Sequence, residues 1–357
     1  MPADTDSKLG AAALLVLLAA YLSACATGAA NAPGQPAASA PATSAAVAPP
    51  ATGPAPAGEA VSAPLRKVKL ATSLNVTSAP LLLAMERGYF RDVGLEIDIT
   101  PMTGGAEMAA PLSTGELDVG TGGISASLFN ALARGVDMKI VADFSRMTPG
   151  HGFGAFLVRK DFEMPSIASL RGQRVGFNNP GAPCHYMVGR MLESGGLTVN
   201  DVEVVNMPFN TIPGALSKRE VDGVCAAEPW VTNTLRTGDG RLVMTYDDLL
   251  PNMQVSVIMI SNQMAADRPF VERFLAAFLR AVPESREKSP EVLESVARAT
   301  GLDVATLRET IWTDLDGDGR VNVDSIKDQQ DFFIRAGLVQ TPVDVDRYVD
   351  LSYLPRR

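Results

Sequence analysis

Asp314, Asp316 and Asp318 stand at alternate positions and are followed by Gly319 and Asn322. That spacing reproduces the first nine positions of an EF-hand calcium loop: acids at one, three and five, glycine at six, a polar residue at nine. Position twelve is Ser325 where a bidentate Glu is required, and Asp324 stands one place early. Losing that ligand ruins affinity for the ion, so the stretch is expected to be a solvated acidic turn and no metal site is expected. His151 and His185 are the only histidines. Cys184 directly precedes His185, but neither histidine stands in a run of carboxylates, cysteines or histidines at metal-ligand spacing, which is poor ground for a metal site. Each is read as a hydrogen-bond donor in a cleft or as a surface histidine. No Ser/His/Asp order, Gly-x-Ser-x-Gly elbow or phosphate loop stands out. No catalytic residue and no cofactor are therefore expected.

The remaining candidates suit binding more than bond-making. Ser73, Leu74, Asn75 and Ser78 lie in a polar stretch before Pro80. They offer hydroxyls, an amide and the backbone N–H groups of a helix start, which attract anionic groups without lysine. Gly122, Gly123 and Ser125 precede another helix, where glycines let backbone N–H groups approach a ligand. Both loops can equally serve as caps and tight turns. Asn178 and Asn179 precede the segment carrying His185, and Asn210 follows a further strand. Glu228 and Trp230 flank Pro229; the first can receive an N–H and the second can stack on a planar ligand, or the trio is a structural turn.

Elements that would position these groups follow from periodicity. Short apolar runs at 68–72, 95–100, 118–123 and 138–143 alternate with helical patterns at 81–87 and 124–134. A second set repeats the order: strands at 174–177, 202–205 and 221–227, helices at 184–194 and 213–218. Strand–helix alternation implies mostly parallel sheets in an α/β fold, with ligands outside the strand C-termini. Apolar stretches 155–158 and 255–260 read as crossings between two lobes. After them the chain is mainly helical: 269–281, 290–300, 304–310 and 323–337.

The leading segment differs from all this. An apolar run from Leu9 to Leu22 is too short to span a bilayer comfortably and fits a signal h-region, although Asp4 and Asp6 oppose Lys8 before it. Leu22-Ser23-Ala24-Cys25 closes the run and resembles the lipobox of bacterial lipoproteins, which implies lipidation at Cys25. Residues 26–64 are almost entirely Ala, Pro, Ser, Thr and Gly, with Glu59 the single charge. Such a stretch cannot bury enough apolar area to fold and suits a polyproline-biased tether. The net charge of −9 and the lack of a basic stripe argue against nucleic acid. Cys184 and Cys225 can pair outside the cytosol, although two buried free thiols are the commoner arrangement.

Ala79-Pro80-Leu81-Leu82-Leu83-Ala84-Met85-Glu86-Arg87-Gly88-Tyr89-Phe90 and Val93-Gly94-Leu95-Glu96-Ile97 resemble the opening of the nitrate/sulfonate/taurine-type solute-binding proteins of ABC importers. That family also holds thiamine-pyrimidine-precursor binders. Gly115 to Gly120, Leu170 to Gly176 and Val221 to Trp230 continue the likeness in order. The resemblance implies a two-lobed periplasmic-binding fold of the second type, each lobe a mostly parallel sheet flanked by helices, with the cleft between them. It places a signal peptide at 1–24, a lipidated tether at 25–65, lobe one at 66–160 and 258–357, and lobe two at 161–257. The implied protein is a monomeric, extracytoplasmic, non-enzymatic lipoprotein. It would be anchored to the cell membrane and pass a small organic solute (a sulfonate, pyrimidine, aromatic or flavin-like molecule) to ABC permease subunits. A sensing lipoprotein using the same cleft, or an enzyme like the thiamine-precursor synthases, are the alternatives. The synthases carry a cysteine-rich motif that this chain lacks.

Overall fold

The computed structural model describes residues 64–356 apart from residue 103. The expected signal peptide, the lipidation site Cys25 and the tether lie outside the described residues, save its last two positions.

Chain order within the first half is β1 (Arg66–Thr72), α1 (Ala79–Glu86), α2 (Tyr89–Asp92), β2 (Leu95–Pro101), α3 (Gly105–Thr114), β3 (Val119–Gly123), α4 (Ala126–Ala133) and β4 (Met138–Arg146). The second half comprises β5 (Gly154–Arg159), β6 (Arg174–Phe177), α5 (Pro183–Ser194), β7 (Glu203–Asn206), α6 (Ile212–Ser217), β8 (Gly223–Ala227), α7 (Trp230–Thr237) and β9 (Gly240–Thr245). Then follow β10 (Gln254–Ser261), α8 (Asn262–Ala265), α9 (Arg268–Arg280), α10 (Val282–Glu287), α11 (Pro290–Thr300), α12 (Val304–Glu309) and α13 (Val323–Arg335).

These strands form two five-stranded sheets, β2-β1-β3-β10-β4 and β7-β6-β8-β5-β9. Each is mixed, because β10 runs antiparallel to β3 and β4, and β5 runs antiparallel to β8 and β9. The exchange moves two strands from their expected places. The sequence bounds place β5 with lobe one, and the start of β10 with lobe two. Pairing of Phe156 with Cys225 and Met244 puts β5 in the second sheet, and pairing of Ser256 with Gly123 and Ser145 puts β10 in the first. The crossings are instead the irregular stretches at 147–153 and 246–253. They hold each other: the Met147 N–H donates to the Met253 carbonyl at 3.0 Å, and the Asn252 N–H to the Met147 carbonyl at 2.9 Å.

Every residue of β10 is buried. A central strand covered on both faces is apolar on both, which is why Val257 to Ile260 shows no alternation and only Ser256 breaks the run at 255–260. One face of the first sheet packs on Phe90, Phe270, Phe274 and Phe278. The other face shares a continuous core with the second sheet through Phe129, Phe156, Met187, Phe332 and Phe333. α13 carries that continuity. Gln329 Nε2 donates to the Gln254 carbonyl at 2.8 Å, and Phe332 lies edge-on to Tyr186 of α5 with ring centroids 5.3 Å apart. The Tyr186 hydroxyl donates to Asp328.

Cys184 and Cys225 form a disulfide between the first turn of α5 and β8. The sequence favours two buried free thiols, and the structure differs. The strand–loop–helix geometry brings the two Cα atoms to 5.9 Å, within the range a disulfide spans.

Candidate functional site

Both sheets aim the loops after their strands into one cleft of about 660 Å³. From the first lobe come Ser73, Leu74 and Asn75 after β1, Gly104, Gly105 and Glu107 after β2, and Gly123, Ser125 and Ser127 after β3. From the second come Asn178 to Pro183 after β6, and Phe209 after β7. A smaller chamber of about 170 Å³ continues from it against β4 and β10. Thr77, Ser78, Thr121, Gly122, Phe144, Phe153 and Ser256 join its lining. Among the described residues lining either chamber, Glu107 carries the only formal charge, and no Lys or Arg is present.

The loop after β1 is shaped by its own polar groups. Asn75 Oδ1 accepts the Thr77 N–H at 2.9 Å, capping the turn that leads into α1. Ser73 Oγ donates to the Met102 carbonyl at 3.0 Å, tying this loop to the one after β2. Ser78 is buried, and its hydroxyl bonds Thr72 Oγ1 and the Ser73 carbonyl, so it supports the loop from behind. Ser125 caps α4 by accepting the Leu128 N–H at 3.3 Å. Asn75 and Ser125 thus cap their turns and line the cleft at once.

The second lobe reaches the first at Gly181. Its carbonyl accepts the Ala126 N–H at 2.9 Å, and its φ is +82°. A Cβ here would sit 2.7 Å from Ala126 Cβ, so conformation and close approach both call for glycine. Two polar atoms facing this region are buried without a partner among the described residues, Asn178 Oδ1 and Ser256 Oγ. Buried polar atoms are normally paired, so these two suit a bound molecule that completes their bonds.

Other expected residues fall elsewhere. His185 lies behind the cleft: it is buried, stacked on Phe177 at 5.1 Å, with Nδ1 accepting the Gly181 N–H at 2.9 Å. Burial lowers its pKa below the ordinary imidazole value, since the charged form loses water. His151 is exposed, and its Nδ1 lies 3.1 Å from the Trp312 carbonyl beside a small hollow with Lys288. Glu228 lines a separate apolar hollow with Leu235, Leu242 and Ile311. Its carboxylate accepts the Ile311 N–H at 3.1 Å and the Thr232 hydroxyl at 2.9 Å, so its acceptors serve the fold. Trp230 starts α7 and packs on the outer core of the second lobe, the structural reading of that turn. Asn210 is exposed and outside both chambers. Sequence reasoning missed Glu107, Phe144, Phe153 and Ser256. Gly104-Gly105 before a helix was a usable signal for the loop holding Glu107; Phe144 and Ser256 reach the cleft because β4 and β10 pair side by side, and Phe153 because it ends the crossing stretch 147–153.

Residues 75–291 match the family described as NMT1/THI5 like. The chain belongs to that family. A putative binding protein of Brucella abortus is 23% identical over 76% of this chain and 86% of its own. The riboflavin-binding protein RibY of Chloroflexus aurantiacus is 24% identical over 98% of both chains. Among solved structures, the alkanesulfonate-binding protein SsuA from Xanthomonas axonopodis pv. citri, bound to MOPS, superposes with a TM-score of 0.67 at 21% identity, covering 81% of this chain and 99% of that one. The desulfurization enzyme DSZB shares the architecture at a TM-score of 0.58 and 19% identity, covering 81% of this chain and 97% of that one. This NMT1/THI5-like chain therefore has the two-lobed periplasmic-binding fold of the second type.

Proposed function

We propose that the protein is an extracytoplasmic solute-binding lipoprotein. It captures a small organic molecule between its lobes and delivers it to the permease of an ABC importer. The observation that carries this reading is the cleft itself, lined from both lobes and bridged at Gly181–Ala126. Only a ligand touching both lobes favours the closed arrangement over an open one. The family and the binding functions named for its relatives support the same reading. Lipidation of Cys25 would tether the lobes to the membrane beside the permease and raise their effective concentration there. We place lobe one on the first sheet with the C-terminal helices, and lobe two on the second sheet.

Ser73, Asn75, Gly123 and Ser125 from lobe one, with Asn178 and Asn179 from lobe two, are the proposed ligand contacts. Hydroxyls, amides and backbone N–H groups without a basic side chain suit an uncharged or planar organic solute better than a small hard anion. Phe144, Phe153 and Phe209 supply flat apolar surface for a ring. An enzymatic reading resting on a cysteine nucleophile has no support in the described residues, where Cys184 and Cys225 are joined.

A thermal-shift screen over sulfonates, pyrimidines, aromatic acids and flavins tests the reading. A ligand at about a hundred times its Kd stabilises the folded form by about 2.7 kcal/mol. No shift with any of these classes would count against an organic solute. Cys25→Ser should release the protein from the membrane fraction; wild type that partitions as a soluble protein in detergent refutes the anchor.

A further inference from the structure

The acidic turn at 314–322 keeps the spacing of a calcium loop, and its backbone follows one. Gly319, at position six, has a φ of +72°. Asp316 Oδ1, at position three, accepts the N–H groups of Asp318 at 2.9 Å and Arg320 at 3.3 Å. In an ion-loaded loop the position-three carboxylate and the position-seven carbonyl both ligate the cation. Here both meet the guanidinium of Arg146. Nη1 lies 3.6 Å from Asp316 Oδ2, and Nη2 donates to the Arg320 carbonyl. Nε donates to Asp143 Oδ2 at 2.9 Å, so β4 itself supplies a carboxylate of the kind position twelve lacks. The Arg146 side chain is only 14% exposed, and Asp143 is fully buried.

The geometry points to an internal cation: the Arg146 guanidinium occupies the place an ion takes in a loop of this spacing. It fastens the turn to β4 without calcium. A planar fork of five donors can satisfy carboxylates and a carbonyl together, as a lysine ammonium cannot. The fastening reaches both strands that flank the crossings. Position nine, Asn322, donates its N–H to Gln254 Oε1 at 2.8 Å, and Gln254 Nε2 donates to Asp143 Oδ1 at 2.7 Å. β4 and β10 are thus both tied to the turn where the chain passes between lobes. Position one is engaged separately, with Asp314 Oδ1 accepting from Arg286 at 2.8 Å. Removing the guanidinium leaves Asp143, Asp316 and a carbonyl around a vacated cation position, a set of hard oxygen ligands suited to calcium.

Terbium luminescence, excited through nearby Trp312, tests this in the folded chain. Wild type should show no saturable terbium signal and no change in melting temperature with ~1 mM calcium, a concentration at the weak end for such loops. Arg146→Ala should gain one saturable terbium site per chain that calcium displaces, binding at least roughly tenfold tighter than anything in wild type. Arg146→Lys keeps a positive charge in the turn and should gain none. An Arg146→Ala chain that is unfolded alone but refolds on adding calcium supports the inference equally. Three results overturn it: a calcium-displaceable site in wild type, equal terbium binding by the Lys and Ala variants, or an Ala variant that neither binds terbium nor is restored by calcium.

Discussion

His185 Nδ1 accepts the N–H of Gly181 at 2.9 Å, while the Gly181 carbonyl accepts the N–H of Ala126 at 2.9 Å. One residue of the second lobe thus links a buried imidazole to the helix start of the first. The bond requires a neutral ring with its proton on Nε2, because an imidazolium has no acceptor. Phe177, Phe332 and Phe333 surround the ring and oppose its charging.

Acid should weaken the fold through this residue. A histidine whose folded pKa lies below its unfolded value binds protons less readily when folded. Its contribution is complete above about pH 6.5 and is lost as pH falls toward the lowered value. Urea denaturation should therefore give lower stability near pH 5 than near pH 7.5, and His185→Gln should flatten that part of the slope. An unchanged slope in the variant would assign the acid sensitivity to other groups.

Gly181→Ala should loosen the closed arrangement. The substitution forces an alanine into a left-handed conformation and against Ala126, at a cost of about 1–3 kcal/mol. Small-angle scattering should show a larger radius of gyration, and solute affinity should fall. A variant as compact as wild type would mean that the loop yields without moving the lobes.

Asn75→Ala and Asn178→Ala should each weaken solute binding by about 1–3 kcal/mol, roughly five- to 150-fold. Glu228→Ala should behave differently. It leaves affinity nearly unchanged but lowers stability, because the Ile311 and Thr232 donors lose their acceptor. Calorimetry and denaturation on the same three variants separate the two roles. Lost affinity in the Glu228 variant alone would move the site toward the hollow beneath α7.

Replacing Cys184 and Cys225 together with alanine should cost about 2–4 kcal/mol, as expected for a crosslink closing a loop of this size (separation 41). Both sulfurs are buried, so mild reductant should leave the native protein intact and act only once it is partly unfolded. Rapid reduction of the native chain would contradict the burial.

The α/β alternation and the cleft-facing loops were legible because strand ends and helix starts carry Gly, Ser, Asn and Pro for local reasons. Asn75 and Ser125 are caps wherever they point. What the sequence could not show was partnership between distant strands. β5 and β10 are both apolar runs beside a crossing, and periodicity does not say which sheet a fully buried strand joins. Glu228 and Trp230 fall outside both chambers for a related reason. They stand at a strand end that does not face the chambers, and only the packing of α7 against β9 and α12 reveals it.

α13 belongs by sequence to the segment after β10, yet Phe332 presses on Tyr186 and Asp328 accepts the Tyr186 hydroxyl from across the lobes. The same helix is pinned to β10 through Gln329. A door on two strips of chain would swing freely; this one has a wedge behind it. Opening must drag α5 over the face of α13 or pull α13 off its own sheet. The first route is a slide of packed side chains, limited in reach, so the unliganded cleft should gape only a little.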